Sequence, residues 1–536
     1  MGIFIIFTKN FAVMARYPIG KQNFRSIREG GYVYVDKTMY IPKLLEGANY
    51  YFLARPRRFG KSLFLSTLES FFQGERELFK DLAIANYNWD WSPYPVIHID
   101  LNGANYTKGT KEFIDKLEYQ LEIFETKYGV TSHPLNISLR FQNLITNLYD
   151  ITRKPVVVLV DEYEKPVLDT IDNPELNENY MEILRGFYSC LKSMDRYLQL
   201  VFLTGVTKLG RMSIFSGLNN IRDISMDRGF SSVCGLTEVE LTENFKEGIE
   251  ALSLKKKIDF KSAVNMLKEN YDGYHFCEEC PDIYNPYSII NALENNKIED
   301  YWASTGTPSI LAKMLLTQNI EIKDFSHIKT SGRRLQGIGN NFDDPVALFY
   351  QTGYLTIKGY DEDEEIFTLG FPNKEVEQAF FEYLLPSFSN KGIVDADSFI
   401  ISFRKSLRNG EADKAMEVLK EFSAGLSYDV IPQPDIERHF QNLIYIICKL
   451  VLSKNVHVKV EEKTSDGRID LLILTDRFIY IVEIKRDISP ESALKQIEDK
   501  EYALQFRSDP RKAFLIGINF STVKRRIDGY VISEIN

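Results

Sequence analysis

The sequence predicts a multidomain α/β protein that begins with a parallel sheet and ends in a smaller β-rich domain. Its 536 residues correspond to three or four domains of ordinary size. Apolar runs alternate with helical stretches as far as about residue 235, which is typical of a parallel sheet, and β-rich runs separated by short turns follow near the C-terminus. With 44% hydrophobic and 26% charged residues, the chain is expected to be globular.

The elements follow in order along the chain. The predicted parallel strands lie at 50–54, 96–101, 156–160 and 198–203. Beyond 235 the pattern becomes mostly helical, and strand-like segments at 349–357 and 365–369 then flank the acidic tip DEDEE, which predicts a hairpin in a winged-helix-like unit. The sequence Ile-Pro-Gln-Pro at 431–434 predicts a domain boundary. The predicted divisions are an N-terminal extension (1–16), a parallel-sheet domain (17–235), a helical lid (236–330), a winged-helix-like segment (331–375), a helical connector (376–430) and a C-terminal domain (431–536).

Charge restricts where a polyanion could bind. The net charge of −10 excludes a protein that coats nucleic acid with bulk positive charge. Residues 430–536 carry one more basic than acidic side chain, so the negative charge belongs to the rest of the chain. Contact with phosphate is therefore expected in the C-terminal segment, where the basic run KRR (524–526) is a candidate.

Cysteine usage and hydropathy predict the environment of the protein. Five cysteines in so long a chain cannot form a disulfide framework, which predicts a reducing compartment. Cys277 and Cys280 form a CxxC, but no second CxxC completes a zinc site, so we interpret them as two loop cysteines. Since no segment reaches 18 uncharged apolar residues, we expect a cytoplasmic protein without a membrane span. Met14 is an alternative start to Met1.

A phosphate-binding loop is the first chemical motif. The sequence RPRRFGKS (55–62) follows an apolar strand and precedes a helical pattern, which is the order that a P-loop requires. The loop amides, with that of Gly60, and the helix N-terminus offer N–H groups to phosphate. Lys61 is expected to reach the β- and γ-phosphates, and the Ser62 hydroxyl can ligate Mg²⁺.

One position departs from the usual P-loop pattern. Arg55 stands where that pattern has its first glycine. A GKS triplet alone arises by chance in many chains, so the departure weakens the motif. Arg57 and Arg58 add positive charge that suits a phosphate site.

A second signal supports the nucleotide site. The sequence VVVLVDE (156–162) is an aliphatic run followed by two carboxylates, as a buried strand ending at such a site would be. Asp161 is expected to hold Mg²⁺, and Glu162 to position or deprotonate the attacking water. The next strand ends at Thr204, where its hydroxyl could sense the γ-phosphate, and Arg211 is either a sensor or an ordinary surface arginine. The alternative for 156–162 is a buried strand followed by a solvated acidic turn.

The third motif is a carboxylate cluster on a C-terminal meander. Residues 456–485 contain three β-rich runs separated by Ser-Asp-Gly and by Asp476-Arg477. If Asp476 and Arg477 form a two-residue turn, Asp470 pairs with Glu483 across the hairpin. The two carboxylates would then face each other with Cβ atoms about 4.5 to 5.5 Å apart.

Such a pairing calls for a cation. Facing like charges destabilise a sheet, and a divalent metal held by Asp470 and Glu483 would neutralise them. Lys485 lies two residues beyond Glu483 on the same face of the strand, and Glu461 shares that face. The set suits metal-assisted phosphodiester hydrolysis, in which Lys485 orients the metal-bound water or offsets developing charge. The alternative is the solvated end of an ordinary hairpin.

Together these motifs resemble a known family. The segments YPIGKQNFRSIREGGYVYVDKT, PRRFGKS, LVDEYEKP, TGVTKL and YNPYSIINAL are similar to those of bacterial AAA-ATPase-like proteins that carry a C-terminal nuclease of the PD-(D/E)XK superfamily. The resemblance implies a P-loop NTPase domain and a restriction-endonuclease-like α/β nuclease domain, and a P-loop without its first glycine is usual in that family. It implies ATP binding by Lys61, Ser62 and Asp161.

The resemblance also implies roles for residues in the C-terminal domain. The segments GRID and VEIK match the two metal motifs of the nuclease, and Glu461 matches a frequent acidic position before GRID. The helix ALKQIEDKEY would place Gln496 and Tyr502 beside the site, and Glu437 matches the acidic residue of the first core helix.

The function predicted from the sequence is an ATP-binding protein, expected to hydrolyse ATP, coupled to a Mg²⁺-dependent nuclease that acts on DNA. Its cofactors are ATP and Mg²⁺, its partner is nucleic acid with DNA favoured, and an oligomer is compatible with the sequence. The alternative is a regulatory or DNA-binding NTPase whose nuclease-like domain binds nucleic acid without cleaving it. A protein-interaction switch is a third possibility, but it leaves the carboxylate pair unexplained.

Overall fold

The computed structural model describes residues 15–131, 135–208, 220–302, 327–335, 345–389, 391–424, 436–453, 456–464 and 467–535, with a few positions between 312 and 337. The chain forms two compact units. Unit 1 comprises Met1–Gly306 and His327–Val376, and unit 2 comprises Thr307–Ser326 and Glu377–Asn536. Three predictions lie outside the described residues: the structure of the N-terminal extension up to residue 14, the role of Arg211, and the boundary at 431–434.

Unit 1 contains two sheets and the helices that precede, connect and follow their strands. Its strands are β1 (Tyr50–Ala54), β2 (Val96–Asp100), β3 (Val156–Asp161), β4 (Leu198–Gly205), β5 (Arg222–Asp223), β6 (Ile328–Ser331), β7 (Thr356–Asp361) and β8 (Ile366–Gly370). Its helices are α1 (Phe24–Glu29), α2 (Tyr40–Leu45), α3 (Lys61–Phe72), α4 (Thr110–Tyr128), α5 (Ile137–Thr152), α6 (Lys165–Leu168), α7 (Pro174–Ser193), α8 (Glu238–Asn244), α9 (Lys246–Lys256), α10 (Phe260–Tyr271), α11 (Pro286–Asn295), α12 (Gly332–Leu335) and α13 (Pro345–Thr352).

The first five strands form the parallel sheet that the sequence predicts. Their order is β2-β3-β4-β1-β5, and every neighbouring pair is parallel. The aliphatic side chains of β3 are fully buried, because helices α3, α4 and α5 pack against the sheet. The carboxyl ends of β1, β3 and β4 therefore lie side by side at one edge, where ligands of open α/β sheets bind.

The predicted lid is helical from α8 to α11. The predicted hairpin follows it, with the acidic residues 361–365 at the turn between β7 and β8. Strands β7 and β8 are antiparallel, and β6 completes a sheet in the order β6-β8-β7. The first predicted strand was placed too early: 349–352 belongs to α13, and β7 begins only at Thr356. A short apolar run is compatible with a buried helix or a buried strand, and here Val346 to Phe349 are buried on a helix that begins at Pro345.

Unit 2 is built on a mixed sheet. Its strands are β9 (Val456–Thr464), β10 (Gly467–Thr475), β11 (Phe478–Arg486), β12 (Lys512–Ser521) and β13 (Arg526–Ile535). Its helices are α15 (Ile393–Asn409), α16 (Ala412–Ala424), α17 (Ile436–Val451) and α18 (Pro490–Asp499), and α14 (Lys374–Ser389) begins three residues before the unit does.

The order β13-β12-β11-β10-β9 confirms the predicted antiparallel meander and adds a crossover. Strands β11 and β12 are parallel, and α18 connects them. One face of the sheet packs on α18 through Ile479, Ile481 and Ile497. On the other face Tyr480 donates its hydroxyl hydrogen to the carbonyl of Leu407 in α15. The predicted connector (376–430) contributes helices that cover this sheet, and unit 2 includes Thr307–Ser326 together with Glu377–Asn536.

Candidate nucleotide site and candidate metal centre

The loop between β1 and α3 is shaped as an anion site. Gly60 caps α3 with a φ of 96°, a value that favours glycine, and no side chain caps the first N–H groups of that helix. The buried Lys61 ammonium donates to the loop carbonyls of Arg55 (3.0 Å) and Pro56 (3.3 Å). Ser62 follows as the second residue of α3 and is half-buried. Free N–H groups and a lysine directed into the loop are the donors that phosphate requires.

The carboxylates predicted from β3 lie beside this loop. The hydroxyl of Thr204, at the end of β4, donates to Asp161 Oδ1 at 2.6 Å, and both residues are buried. Glu162 Oε1 lies 3.8 Å from Lys61 Nζ. Glu162 has a φ of 52°, a strained value for a residue with a side chain, and such strain often occurs at functional sites. The sheet therefore brings together Lys61, Asp161, Glu162 and Thr204.

The two notable arginines of the loop make contacts within the protein. Arg55 is buried and donates to the carbonyls of Ser225 (2.7 Å) and Phe230 (3.2 Å), with its guanidinium 4.0 Å from the ring centre of Phe276. In place of the first glycine it ties the loop to the chain that follows β5. Arg58 has a φ of 68° and stacks over the ring of Tyr287 at 4.8 Å.

Sequence reasoning missed Glu164, a fully buried carboxylate next to the predicted pair. Its Oε1 accepts the backbone N–H groups of Val206 (2.5 Å) and Thr207 (2.8 Å), which ties the turn after β3 to the end of β4. Burial, and then the charge of Glu162, raise the pKa of Glu164 to about 8. A side chain at Gly205 would overlap this carboxylate. The available signal was the third acidic residue in LVDEYEKP.

An apolar cavity of 90 Å³ lies next to the phosphate loop. Phe59 and Leu63 line it from the loop and from α3, Val33 and Val35 line it from the segment before α2, and Leu236 lines it from the chain before α8. A flat apolar ring could be enclosed there, directly beside the phosphate donors.

The second site lies in unit 2, on the hairpin of β10 and β11. Leu471 pairs with Val482 and Leu472 with Ile481, which is the predicted register and places Asp470 opposite Glu483. A cavity of 290 Å³ opens at this end of the hairpin. Four residues predicted from the sequence line it: Asp470, Glu483, Lys485 and Glu461. Side chains from α17 and other segments line the rest of the cavity.

Glu483 is the most buried of these residues, with 2% of its surface exposed. Its Oε1 accepts hydrogen bonds from Lys485 Nζ at 3.0 Å and from the Gln496 side-chain amide. Its Oε2 is buried and has no hydrogen-bond partner among the described residues. A buried oxygen without a donor costs about 1–3 kcal/mol, more when it carries charge, so the site favours a ligand that supplies positive charge.

Both facing carboxyl groups are costly to ionise. Asp470 Oδ2 accepts the N–H of Ile484 at 2.9 Å, yet burial raises the pKa of Asp470 above its usual value. Burial, followed by the charge of Asp470, also raises the pKa of Glu483. Both groups would be stabilised as carboxylates by a bound cation.

The residues implied by the family resemblance lie around the same cavity. Glu461 has a φ of 55° and forms an ion pair with Arg468 at 3.2 Å. The Tyr502 hydroxyl accepts the backbone N–H of Arg468 at 3.3 Å, so its contact is with the backbone of strand β10. The side chain of Glu437 lies outside the described residues.

The donor set fits a hard divalent cation. Over the described ranges, no group of three or more His, Cys, Asp or Glu side chains is arranged to hold a metal. Mg²⁺ needs fewer protein ligands, because it commonly binds through one or two carboxylates and keeps several waters. Asp470 and the unpartnered Oε2 of Glu483 match that requirement.

Three other predictions from the sequence have structural outcomes. Cys277 and Cys280 lie side by side, with Cα atoms 5.5 Å apart, in the loop between α10 and α11, and Cys190, Cys234 and Cys448 are free. In the KRR run Lys524 pairs with Asp528 at 2.7 Å and Arg525 is buried, while Lys524 and Arg526 are exposed. Within the described part of the chain, no helix combines the length and the apolar character needed to cross a membrane.

Comparison with known proteins identifies two domains. Residues 18–215 match the family described as "Predicted AAA-ATPase", and residues 435–529 match the PD-(D/E)XK nuclease superfamily. The chain is 31% identical over 526 residues to an "Uncharacterized protein in vnfD 5'region" of Azotobacter chroococcum mcd 1, a match that covers 97% of this chain and 99% of that protein. Strands β1 to β4 of the parallel sheet lie in the first matched region, and the mixed sheet lies in the second apart from the end of β13. The chain therefore belongs to the family of AAA-ATPase-like proteins that carry a C-terminal PD-(D/E)XK nuclease superfamily domain.

Proposed function

We propose that the protein binds ATP and cleaves nucleic-acid phosphodiesters, with DNA the favoured substrate, using a divalent metal in its C-terminal domain. One observation carries the nuclease part: the buried Oε2 of Glu483 has no donor among the described residues and lies in the same cavity as Asp470 and Lys485. The buried Glu164 also has an oxygen without a donor among the described residues, so the metal site is inferred from that feature of Glu483 together with the facing Asp470 and the Lys485 ammonium in one open cavity.

In this proposal Asp470 and Glu483 hold Mg²⁺. The metal would lower the pKa of a bound water and neutralise charge on the scissile phosphate. Lys485 is positioned to offset charge on the phosphate, since its ammonium is already directed into the cavity by Glu483 Oε1. Gln496 holds the same oxygen from α18 and so fixes the rotamer of Glu483.

The nucleotide part is supported by the edge of the parallel sheet. The Lys61 ammonium would exchange its bonds with the Arg55 and Pro56 carbonyls for bonds with phosphate oxygens. Ser62 and Asp161 would hold the nucleotide-bound Mg²⁺, and Thr204 orients Asp161. Glu162 would position the attacking water, and the apolar cavity beside Phe59 suits the adenine ring.

Nucleotide binding is proposed to control the nuclease, since one chain carries both domains. The test compares wild type with Asp470→Ala and Lys61→Ala on supercoiled, linear and single-stranded DNA and on RNA. Each is incubated with Mg²⁺, Mn²⁺, Ca²⁺ or chelator, with and without ATP. We expect metal-dependent cleavage that Asp470→Ala loses, and ATP dependence that Lys61→Ala loses.

Two results would redirect this proposal. If wild type binds DNA but never cuts it, the protein is a regulatory NTPase with a non-cleaving nuclease fold. If Asp470→Ala cuts as fast as wild type, the metal assignment is wrong.

A further inference from the structure

A second cavity in unit 2 is lined mainly by basic side chains. Its volume is 410 Å³, and it lies between α15 and the turn of the β10–β11 hairpin. Arg404, Lys405 and Arg408 line it from α15, and Arg477 lines it from the turn. Asp476 is the one acidic residue among the eight that line it.

The positive charge of this cavity is not neutralised by ion pairs. Within the described part of the chain, none of its four cationic side chains forms an ion pair. Elsewhere in unit 2, many lysines and arginines do form ion pairs: Lys414, Lys420, Lys449, Lys459, Arg468, Arg511, Lys512 and Lys524. Unpaired like charges on one helix face, as at Arg404 and Arg408, cost stability by about 0.2–0.5 kcal/mol per pair. A cluster of four cations that lacks ion pairs within the described part of the chain and is lined by one carboxylate suits an external anion.

The cluster is held in place by the backbone. Arg404 donates to the carbonyls of Leu450 and Val451 (3.2 Å to the latter), at the C-terminal end of α17. Arg477 donates to the carbonyl of Arg408 at 3.3 Å. These bonds connect the helix, the turn and α17, so the cationic groups project from fixed positions.

The cluster lies at the far end of the hairpin from the carboxylates, on the side covered by α15. Asp470 and Glu483 each lie six residues from the turn formed by Asp476 and Arg477, at the other end of the same hairpin. Six strand residues span about 20 Å. Phosphates along one strand of duplex DNA are about 3.4 Å apart in the axial direction, so this distance corresponds to about six nucleotides.

We propose that this basic cavity binds the phosphodiester backbone of the nucleic-acid substrate about six nucleotides from the cleaved bond. The inference rests on the proposed nuclease function and adds a binding site that the metal motifs do not include. Because the contact is electrostatic, it contributes affinity without base specificity. Substrates long enough to reach both sites are then bound more tightly than shorter ones.

The test uses the full chain and labelled duplex DNA of graded length. The triple variant Lys405→Ala, Arg408→Ala, Arg477→Ala removes three unpaired cations, while Arg404 is kept because it braces α17. The matched control, Lys414→Ala, Lys420→Ala, Lys512→Ala, removes three paired cations with the same change in net charge. Binding is measured by fluorescence anisotropy in Ca²⁺ over a range of salt concentrations.

We expect the triple variant to bind long duplexes at least about tenfold more weakly, with the slope of log affinity against log salt reduced by about 2 to 3. The control should keep the wild-type slope. Duplexes that extend fewer than about six nucleotides beyond the cut should be cleaved equally by variant and wild type.

Three results would overturn the inference. If wild type binds DNA and the triple variant binds with the same affinity and slope, the cavity is no backbone site. If the triple variant loses only the thermal stabilisation given by millimolar inorganic phosphate and keeps its DNA affinity, the cavity takes small phosphates instead. If wild type binds no nucleic acid at all, the proposed function fails as well.

Discussion

Replacing Asp470 with asparagine should stabilise the metal-free protein while abolishing cleavage. Asp470 and Glu483 face each other across the hairpin, with an expected separation of about 5 Å. At an effective dielectric constant of about 20, two unit charges at that distance repel by about 3 kcal/mol. Lys485 lies 3.0 Å from Glu483 and offsets part of this repulsion, so we expect a net gain of about 1–2 kcal/mol in the free energy of unfolding.

Asparagine can still accept the N–H of Ile484, so the hairpin bond need not be lost. A gain of this size would raise the melting temperature of a unit of about 150–250 residues by roughly 2–8 °C, which differential scanning calorimetry in chelator would detect. Ca²⁺ should then raise the melting temperature of wild type but not of Asp470→Asn. Glu462→Gln is the matched control, because Glu462 lies on the neighbouring strand and pairs with Lys459 outside the cavity. Lower stability of Asp470→Asn in chelator, or stabilisation of this variant by Ca²⁺ equal to that of wild type, would refute the reasoning.

Other substitutions test the nucleotide-binding unit. Gly205→Ala should lower the free energy of unfolding, measured in urea, by about 2–4 kcal/mol, because its methyl group displaces the Glu164 carboxylate from two backbone donors. A variant as stable as wild type would show that the bonds of Glu164 to Val206 and Thr207 do not hold the two strand ends together. Arg55→Lys should cost at least about 3 kcal/mol, because lysine cannot reach the carbonyls that the guanidinium holds, and an unchanged urea midpoint would exclude this bracing role. Glu375, the second residue of α14, is buried and accepts the N–H groups of Tyr301 and Trp302. Burial raises the pKa of Glu375 to about 7, so its stabilising contribution is complete below its unfolded pKa near 4.5 and is lost as pH rises through 7. Relative to Glu375→Gln, wild type should lose about 3 kcal/mol over that interval, and parallel stability–pH curves for the two proteins would contradict the shift.

Features set by local pattern were predictable from the sequence. The aliphatic strand before Asp161, the strand–loop–helix order around Lys61 and the pairing of Asp470 with Glu483 follow from periodicity and a two-residue turn. The 346–349 run was not predictable as helix, because four buried apolar residues satisfy either period.

Features that depend on tertiary packing could not be predicted in this way. The bonds of Glu164 to the end of β4 join residues far apart in the chain. The basic cavity likewise joins α15 to a hairpin turn, and α15 lies in a segment that looked like a connector. Charge counting over 430–536 located the positive excess at KRR, but ion pairing and burial engage two of those three residues.

Cleavage of end-labelled duplex DNA by wild type and by Glu483→Gln, in Mg²⁺ and in chelator, tests the central claim most directly. Glutamine is nearly isosteric with glutamate but replaces the unpartnered buried oxygen, the feature on which the metal site depends. We predict metal-dependent cleavage by wild type and a loss of at least about a hundredfold in Glu483→Gln, in line with the removal of one strong transition-state contact. Equal cleavage rates for the two proteins, or cleavage by wild type in chelator, would contradict the account.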